Sequence, residues 1–191
     1  MDPAANKEVL FVKHTNSLES VLRADGLLRA GAGRDVDILG VSNDSRHVHV
    51  GDLFICKGYG FKPEYLLMAQ RAGAVCYLSE EKYDACSLPA ILISDVRKAQ
   101  SLAARWFYDC PSDSLDLIGV TGTKGKTTTA YMIQAITNAI AGRPTGLSSS
   151  AGRYCGGPDV DTHLTTPESL DLQWLFAQAR DHGLHYMTAE V

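Results

Sequence analysis

The amino-acid sequence predicts an α/β protein in two parts: a small N-terminal α/β domain, then the start of a parallel-sheet domain built around a phosphate loop (P-loop). Three observations lead there. Short apolar runs such as "AVCYLSE" and "PAILISD" alternate with amphipathic segments such as "PEYLLMAQRAG" and "VRKAQSLAARWFYD", the pattern of strands covered by crossover helices. The stretch "LIGVTGTKGKTTTAYMIQAI", Leu117 to Ile136, runs from an apolar segment through a glycine-rich turn into a helical pattern. The composition, 45% hydrophobic and 21% charged over 191 residues, is that of a globular chain with room for one large or two small domains.

Each element follows from local signals. Ser17 to Leu28 reads as a helix with a serine cap, stopped by Gly31 to Gly33. "VDILGVSNDS" is an apolar run closed by turn formers, and "HVHVGDLFICKG" gives a strand after a Gly-Asp turn. The next helix has Pro63 in its first turn and Gly73 as its stop. Two buried strands and the amphipathic helix from Val96 complete a domain over residues 1–110, with "DCPSDSLD" (Asp109 to Asp116) as the linker. Residues 111–191 form the second domain. It is expected to hold a strand from Leu117, a helix over Lys126–Ala141, a strand around "TGLSSS", and a loop through Pro158. A helix from Pro167 to His182 and a final strand "HYMTAEV" then follow. Three parallel strands are fewer than nucleotide-binding doubly wound sheets carry, so this domain is expected to be truncated at its C-terminal side.

Several classes are set aside by composition. A net charge of −4 and a pI near 5.8 give no electrostatic surface for nucleic acid or membrane. Five cysteines without a C-x-x-C pair argue against a zinc ribbon or a disulfide framework. No stretch reads as a signal peptide or transmembrane span, so a cytoplasmic protein with reduced thiols is expected, with a monomer as the default.

The glycine-rich turn departs from the strict Walker spacing G-x-x-x-x-G-K-[ST], because Val120 occupies the first glycine position. Its mechanics remain those of a phosphate loop. Gly122 and Gly125 let backbone N–H groups turn inward, and the following helix aims its positive end at an anion. Lys126 can reach the outer phosphates, the Thr127 hydroxyl can ligate Mg²⁺, and Lys124 adds a second cation. The bland alternative, a strand-to-helix turn with an incidental lysine, does not account for the apolar strand before the loop and the amphipathic helix after it.

Taken whole, "GVTGTKGKTTT" resembles the phosphate loop of the Mur ligase superfamily, whose usual form has Asn where Lys124 stands. "NDSRHVHVGDLFICKG" (Asn43 to Gly58) resembles the signature of that superfamily's uridine-binding domain. "HLTTPESLDLQ" (His163 to Gln173) resembles its Thr-Thr-Pro segment, and "HYMTAEV" the strand that carries a magnesium-binding glutamate. Within the superfamily the pattern is most similar to the tripeptide synthetase (MurE) type. The resemblance implies an ATP-dependent ligase of peptidoglycan precursor synthesis. Such an enzyme adds a diamino acid, the third stem residue, to a UDP-N-acetylmuramoyl-dipeptide through an acyl phosphate.

It further implies ATP contacts from Thr121, Gly122, Thr123, Lys124, Gly125, Lys126, Thr127 and Thr128, with Lys126 and Glu190 catalytic and Thr127 and Glu190 on magnesium. Asn43 and Ser45 are implied near the uracil, and Thr165 and Thr166 near the phosphates and sugar. Simpler readings stand beside these. Asp44-Ser45-Arg46 is also a capped turn, Thr166-Pro167 a helix N-terminus, and a strand-end glutamate a cap or ion-pair partner. His163 is assigned nothing, and "YGFKPEY" after Gly58 departs from the commoner Asp-Gly-His.

The family's further central strands and its C-terminal domain have no counterpart in these residues, so the 191 residues alone are not expected to ligate. The alternatives are a non-catalytic nucleotide or UDP-sugar-binding module, or a subunit completed by another chain. A ligase of the folylpolyglutamate or cyanophycin type and a generic P-loop NTPase are others. The Asp44-Ser45-Arg46 and Gly51-Asp52-Leu53-Phe54 segments argue against the ligase alternative. The "HLTTPESLDLQ" segment and the lack of a Walker B aspartate on an apolar strand argue against the NTPase.

Overall fold

A computed structural model describes residues 12–58, 60–157 and 168–191. The chain divides into two compact units, Met1–Phe107 and Tyr108–Val191.

The first unit is built on a five-stranded sheet. Its elements in order are β1 (Lys13–His14), α1 (Thr15–Ala24), β2 (Leu28–Ala30), β3 (Asp37–Ile38), β4 (Gly40–Ser42), β5 (Asp52–Ile55), α2 (Pro63–Ala72), β6 (Cys76–Ser79), β7 (Ala90–Ile93) and α3 (Val96–Phe107). The sheet runs β2-β7-β6-β5-β4, parallel from β4 to β7 with β2 antiparallel at one edge. β1 and β3 form a separate antiparallel pair. Leu66 and Ala69 of α2 pack with Phe54, Cys56 and Tyr77 on one side of the sheet. α1 and α3 pack against each other, where the Trp106 indole N–H donates to Ser17 Oγ at 3.1 Å.

Where punctuation is local, the sequence reading holds. α2 starts at Pro63 and stops at Gly73, whose φ of 108° is a left-handed cap no β-carbon favours. α1 is a correction, since it starts at Thr15 and ends at Ala24. Its first turn is capped by Asp35, whose Oδ1 accepts from the Asn16 N–H at 3.0 Å and the Thr15 hydroxyl at 3.1 Å. Ser17 lies inside the helix and donates back to the His14 carbonyl at 2.8 Å, so it is not the cap. Leu28, expected to end the helix, opens β2.

The second unit comprises a 3₁₀ turn (Pro111–Ser114), β8 (Asp116–Val120), α4 (Lys126–Ala141), β9 (Gly146–Ser148), β10 (Arg153–Tyr154), α5 (Ser169–Asp181) and β11 (Tyr186–Glu190). The expected linker is therefore partly helical, and Leu115 within it is a core residue. The sheet order is β10-β9-β11-β8: the last strand inserts between the first two in parallel, and β10 adds an antiparallel edge that the sequence reading did not foresee.

Alternation along β11 divides its side chains between two layers. Met187 joins Leu175, Phe176 and Ala179 of α5. Thr188 and Glu190 face the other way, because their register partners Leu147 and Val120 pack with Ala130 of α4. A β-carbon at Gly146 would overlap the Met187 sulfur, so a larger residue in β9 would displace that buried side chain. Met132, Ile136 and Ile140 lie at helical spacing on the outer side of α4 and are exposed, as is Leu117 on the edge strand β8.

Candidate functional site: the phosphate loop and its buried carboxylate

β8 delivers the chain to Thr121, and residues 121–125 form an exposed loop that turns directly into α4. Two glycines make the turn. Gly122 and Gly125 have φ of 152° and 77°, and Gly125 caps α4 in the left-handed region, where a side chain would be strained. The cap carries no side-chain hydrogen bond, so the first-turn N–H groups of a 16-residue helix stay available beside the loop. Lys126 folds back over the loop and donates from Nζ to the Gly122 carbonyl at 2.7 Å. Lys124 is exposed on the loop crest.

The Thr127 hydroxyl lies 3.1 Å from the hydroxyl of Ser150, just past β9. Ser150 was not singled out from the sequence. The signal was "TGLSSS" itself, a hydroxyl-rich strand end one crossover after a phosphate loop.

Glu190 ends β11 in register with Val120, the residue before the loop, and the Val191 N–H donates to the Val120 carbonyl at 3.0 Å. The Glu190 side chain is 0% exposed, and neither carboxylate oxygen has a hydrogen-bond partner among the described residues. An ionised carboxylate in that state is costly unless a cation or donors reach it. The cap and ion-pair readings of Glu190 therefore fail among the described residues. No group of three His, Cys, Asp or Glu side chains that could hold a metal occurs among the described residues. A cation here would take a single carboxylate plus hydroxyl, phosphate and water oxygens, which is the habit of Mg²⁺ and unlike that of zinc.

The first unit's candidate turn lies past the C-terminal end of β4. Asp44 is its centre: it accepts from the Arg46 backbone N–H at 3.0 Å, from Arg46 Nε at 2.9 Å and from Arg46 Nη2 at 2.7 Å, with His47 Nδ1 at 3.1 Å. The Arg46 guanidinium holds the Asp44 carboxyl well below the usual carboxylate range, and Asp44 in turn raises Arg46. Ser42 Oγ donates to the Asp44 carbonyl at 3.2 Å. The turn is thus self-capped, as the simpler sequence reading has it, and it presents Asn43 and Ser45 half-buried on either side of Asp44. Thr165, Thr166 and Pro167 lie outside the described residues.

A parallel sheet whose first strand opens through a glycine-rich loop into a helix N-terminus defines a P-loop α/β domain, here preceded by a second, independent α/β unit. Residues 120–191 match the Mur ligase middle domain family. Over 183 residues the chain is 40% identical to a UDP-N-acetylmuramyl-tripeptide synthetase of Lactobacillus delbrueckii subsp. bulgaricus, covering 92% of this chain and 36% of the relative. It is 42% identical over 151 residues to a UDP-N-acetylmuramoyl-L-alanyl-D-glutamate--L-lysine ligase of Streptococcus thermophilus, covering 79% and 31%. Among solved structures it is similar to a UDP-N-acetylmuramoyl-L-alanyl-D-glutamate--2,6-diaminopimelate ligase, with a TM-score of 0.66 and 26% identity over 81% of this chain and 32% of that one. The chain belongs to the Mur ligase superfamily. It spans about a third of the length of the curated relatives it matches.

Proposed function

We propose that the chain carries the UDP-sugar-binding unit and the phosphate-binding part of an ATP-dependent ligase that adds a diamino acid to UDP-N-acetylmuramoyl-L-Ala-D-Glu. The observation that carries this reading is the adjacency, in one sheet, of the phosphate loop after Val120 and the buried, unpartnered carboxylate of Glu190. Residues 1–110 bind the sugar nucleotide, with Asn43 and Ser45 at the uracil. Residues 111–191 bind ATP, and Thr165 and Thr166 hold the phosphates and sugar of the UDP substrate.

In this reading the 121–125 backbone and the α4 N-terminus cradle the ATP phosphates, with Thr128 within the first turn. Lys126 exchanges the Gly122 carbonyl for a γ-phosphate oxygen, so its charge is already at the loop when nucleotide arrives. Thr127 and Glu190 would hold Mg²⁺, which would supply neutralisation of the phosphate charge. Ser150 keeps the Thr127 hydroxyl turned toward the loop. Lys124 supplies a second positive charge beside the phosphates. The substrate carboxylate then attacks the γ-phosphorus as its bond to the bridging oxygen breaks and ADP leaves, and the amine of the incoming diamino acid, losing a proton, displaces phosphate from the acyl phosphate. Positioning and charge neutralisation are the protein's main contributions to such a transfer.

The relatives' names include both an L-lysine and a diaminopimelate ligase, so the reading extends to the class of diamino acid and no further. The test is calorimetric titration of the chain with Mg-ADP and, separately, with UDP-N-acetylmuramoyl-L-Ala-D-Glu, for wild type, K126A and N43A. K126A should lose the nucleotide and keep the sugar ligand, and N43A the reverse. Binding of both ligands without phosphate release, when a diamino acid and ATP are supplied, identifies a binding module. Equal nucleotide affinity in wild type and K126A would refute the phosphate-loop assignment.

A further inference from the structure

Glu190 is not the only stranded group in its layer. Thr188, two residues earlier on the same face of β11, is 0% exposed, and its hydroxyl has no hydrogen-bond partner among the described residues. The neighbours given by register and packing are Ile118, Val120 and Leu147 of the sheet, with Ala130 and Ile133 of α4, and none of these side chains can donate. Ser148 is also buried with an unpartnered hydroxyl, but its register partner is Ala189, which places it on the opposite face. Thr137, the buried threonine of α4, is engaged with Thr145 at 2.7 Å and with the Gln134 carbonyl at 3.1 Å. Thr145 and Ser149, which flank β9 on the face of Leu147, are also buried, but their hydroxyls are engaged with Thr137 and Asn138 and with the Gly152 carbonyl. Among the described residues, one donor without an acceptor therefore shares this layer with one carboxylate without a donor.

The spacing suits a mediated contact. Residues i and i+2 of a strand are about 6.6 Å apart along its axis, and one water joins two oxygens about 5.5 Å apart. We propose that Thr188 is a positioning residue for Glu190: its hydroxyl, through one buried water, holds the carboxylate oxygen that the cation does not use and turns the other toward the phosphate loop. This rests on the reading of Glu190 as a cation ligand. Outer contacts of this kind decide how a carboxylate presents itself to a metal, and their loss weakens metal affinity about 10- to 100-fold.

The alternative is a plain unpaired hydroxyl in the core, and it predicts the opposite behaviour. Replacing such a hydroxyl by an isosteric methyl stabilises the protein and leaves the cation unaffected. The experiment measures Mn²⁺ affinity of the 191-residue chain by electron paramagnetic resonance in the presence of ADP, and the thermal midpoint in chelator. The proteins are wild type, T188V, T188S, T188A and E190Q.

The proposal expects T188V and T188A to bind Mn²⁺ at least about 10-fold more weakly. T188S should stay close to wild type, E190Q should lose the site, and the T188V midpoint should be no higher than wild type. T188V with wild-type Mn²⁺ affinity and a raised midpoint overturns it while E190Q still loses the ion. If E190Q binds Mn²⁺ as wild type does, the cation reading of Glu190 fails and the proposal with it. Should T188V not fold, T188A against T188S carries the same comparison.

Discussion

Each unit places a carboxylate at its candidate site, and the two are treated in opposite ways. Asp44 is surrounded by donors from its own turn: the Arg46 backbone, the Arg46 guanidinium and His47. Glu190 is fully buried and has none among the described residues. A satisfied carboxylate has done its work in shaping the chain, so Asp44 is a structural part of a turn that displays its neighbours. A stranded one leaves the fold less stable than a neutral residue would, and is explained by something the fold is made to receive. Among motif residues, hydrogen-bond satisfaction thus separates those that build a site from those that meet the ligand.

The largest effect expected from breaking this contrast is on nucleotide affinity. K126A removes the charge that already contacts the loop backbone, leaving only Lys124 nearby, and should weaken Mg-ATP binding on the order of 100-fold, about 2.7 kcal/mol. The thermal midpoint should hardly move, because the lysine's recorded hydrogen bond is to Gly122 at an exposed site. G125V should weaken nucleotide at least as much and also lower the midpoint, since a β-branched residue at φ 77° strains the cap of α4. Calorimetry with Mg-ATP and a thermal melt of each variant check both. A K126A chain that binds as tightly as wild type would break the phosphate-loop side of the comparison.

The next effect sharpens the carboxylate side. E190Q exchanges one unpartnered buried polar group for another of the same shape, so the chain without metal should hold its stability to within about 1 kcal/mol, while Mn²⁺ affinity falls at least about 10-fold. D44N should move the other way, losing stability without touching Mn²⁺. Urea melts in chelator measure the first quantity. A destabilised E190Q would mean that Glu190 has a favourable partner in the fold and is no ligand in waiting.

Legibility in the sequence follows the range of the interaction that fixes each feature. α4 was placed at both ends because Gly125 and Gly142, with φ of 77° and 64°, bound it locally. α1 was misplaced because its cap, Asp35, stands 19 residues from the Asn16 N–H it receives. β10 is two half-buried residues, too short for alternation to register, and it exists by pairing with Ser148 and Leu147. The insertion of β11 between β8 and β9 is a choice of tertiary packing that no local signal records. At the site, the loop is legible from its glycines and Lys126 between an apolar strand and a helix, and Glu190 as a strand end. The burial and isolation of Glu190 were not, because they depend on Leu147, Val120 and α4 closing over it.

The smallest effect concerns the satisfied carboxylate, and its sign follows from linkage. Arg46 holds the Asp44 pKa below its usual value, so the folded state binds this proton less readily than the unfolded chain does. The stability Asp44 contributes is then fully present above the unfolded carboxylate pKa of about 3.9, and is lost as pH falls through the lower folded value. Because the Asp44 side chain is 32% exposed and Arg46 76%, solvent screens the pair, and the contribution is about 0.5–1 kcal/mol. Wild type should therefore be more stable than D44N by that amount at pH 7, with the gap closing below about pH 4. Urea melts of the two proteins from pH 3 to pH 7 test this. A gap that widens toward low pH would mean the turn is held by groups other than Asp44, and would remove the satisfied half of the comparison.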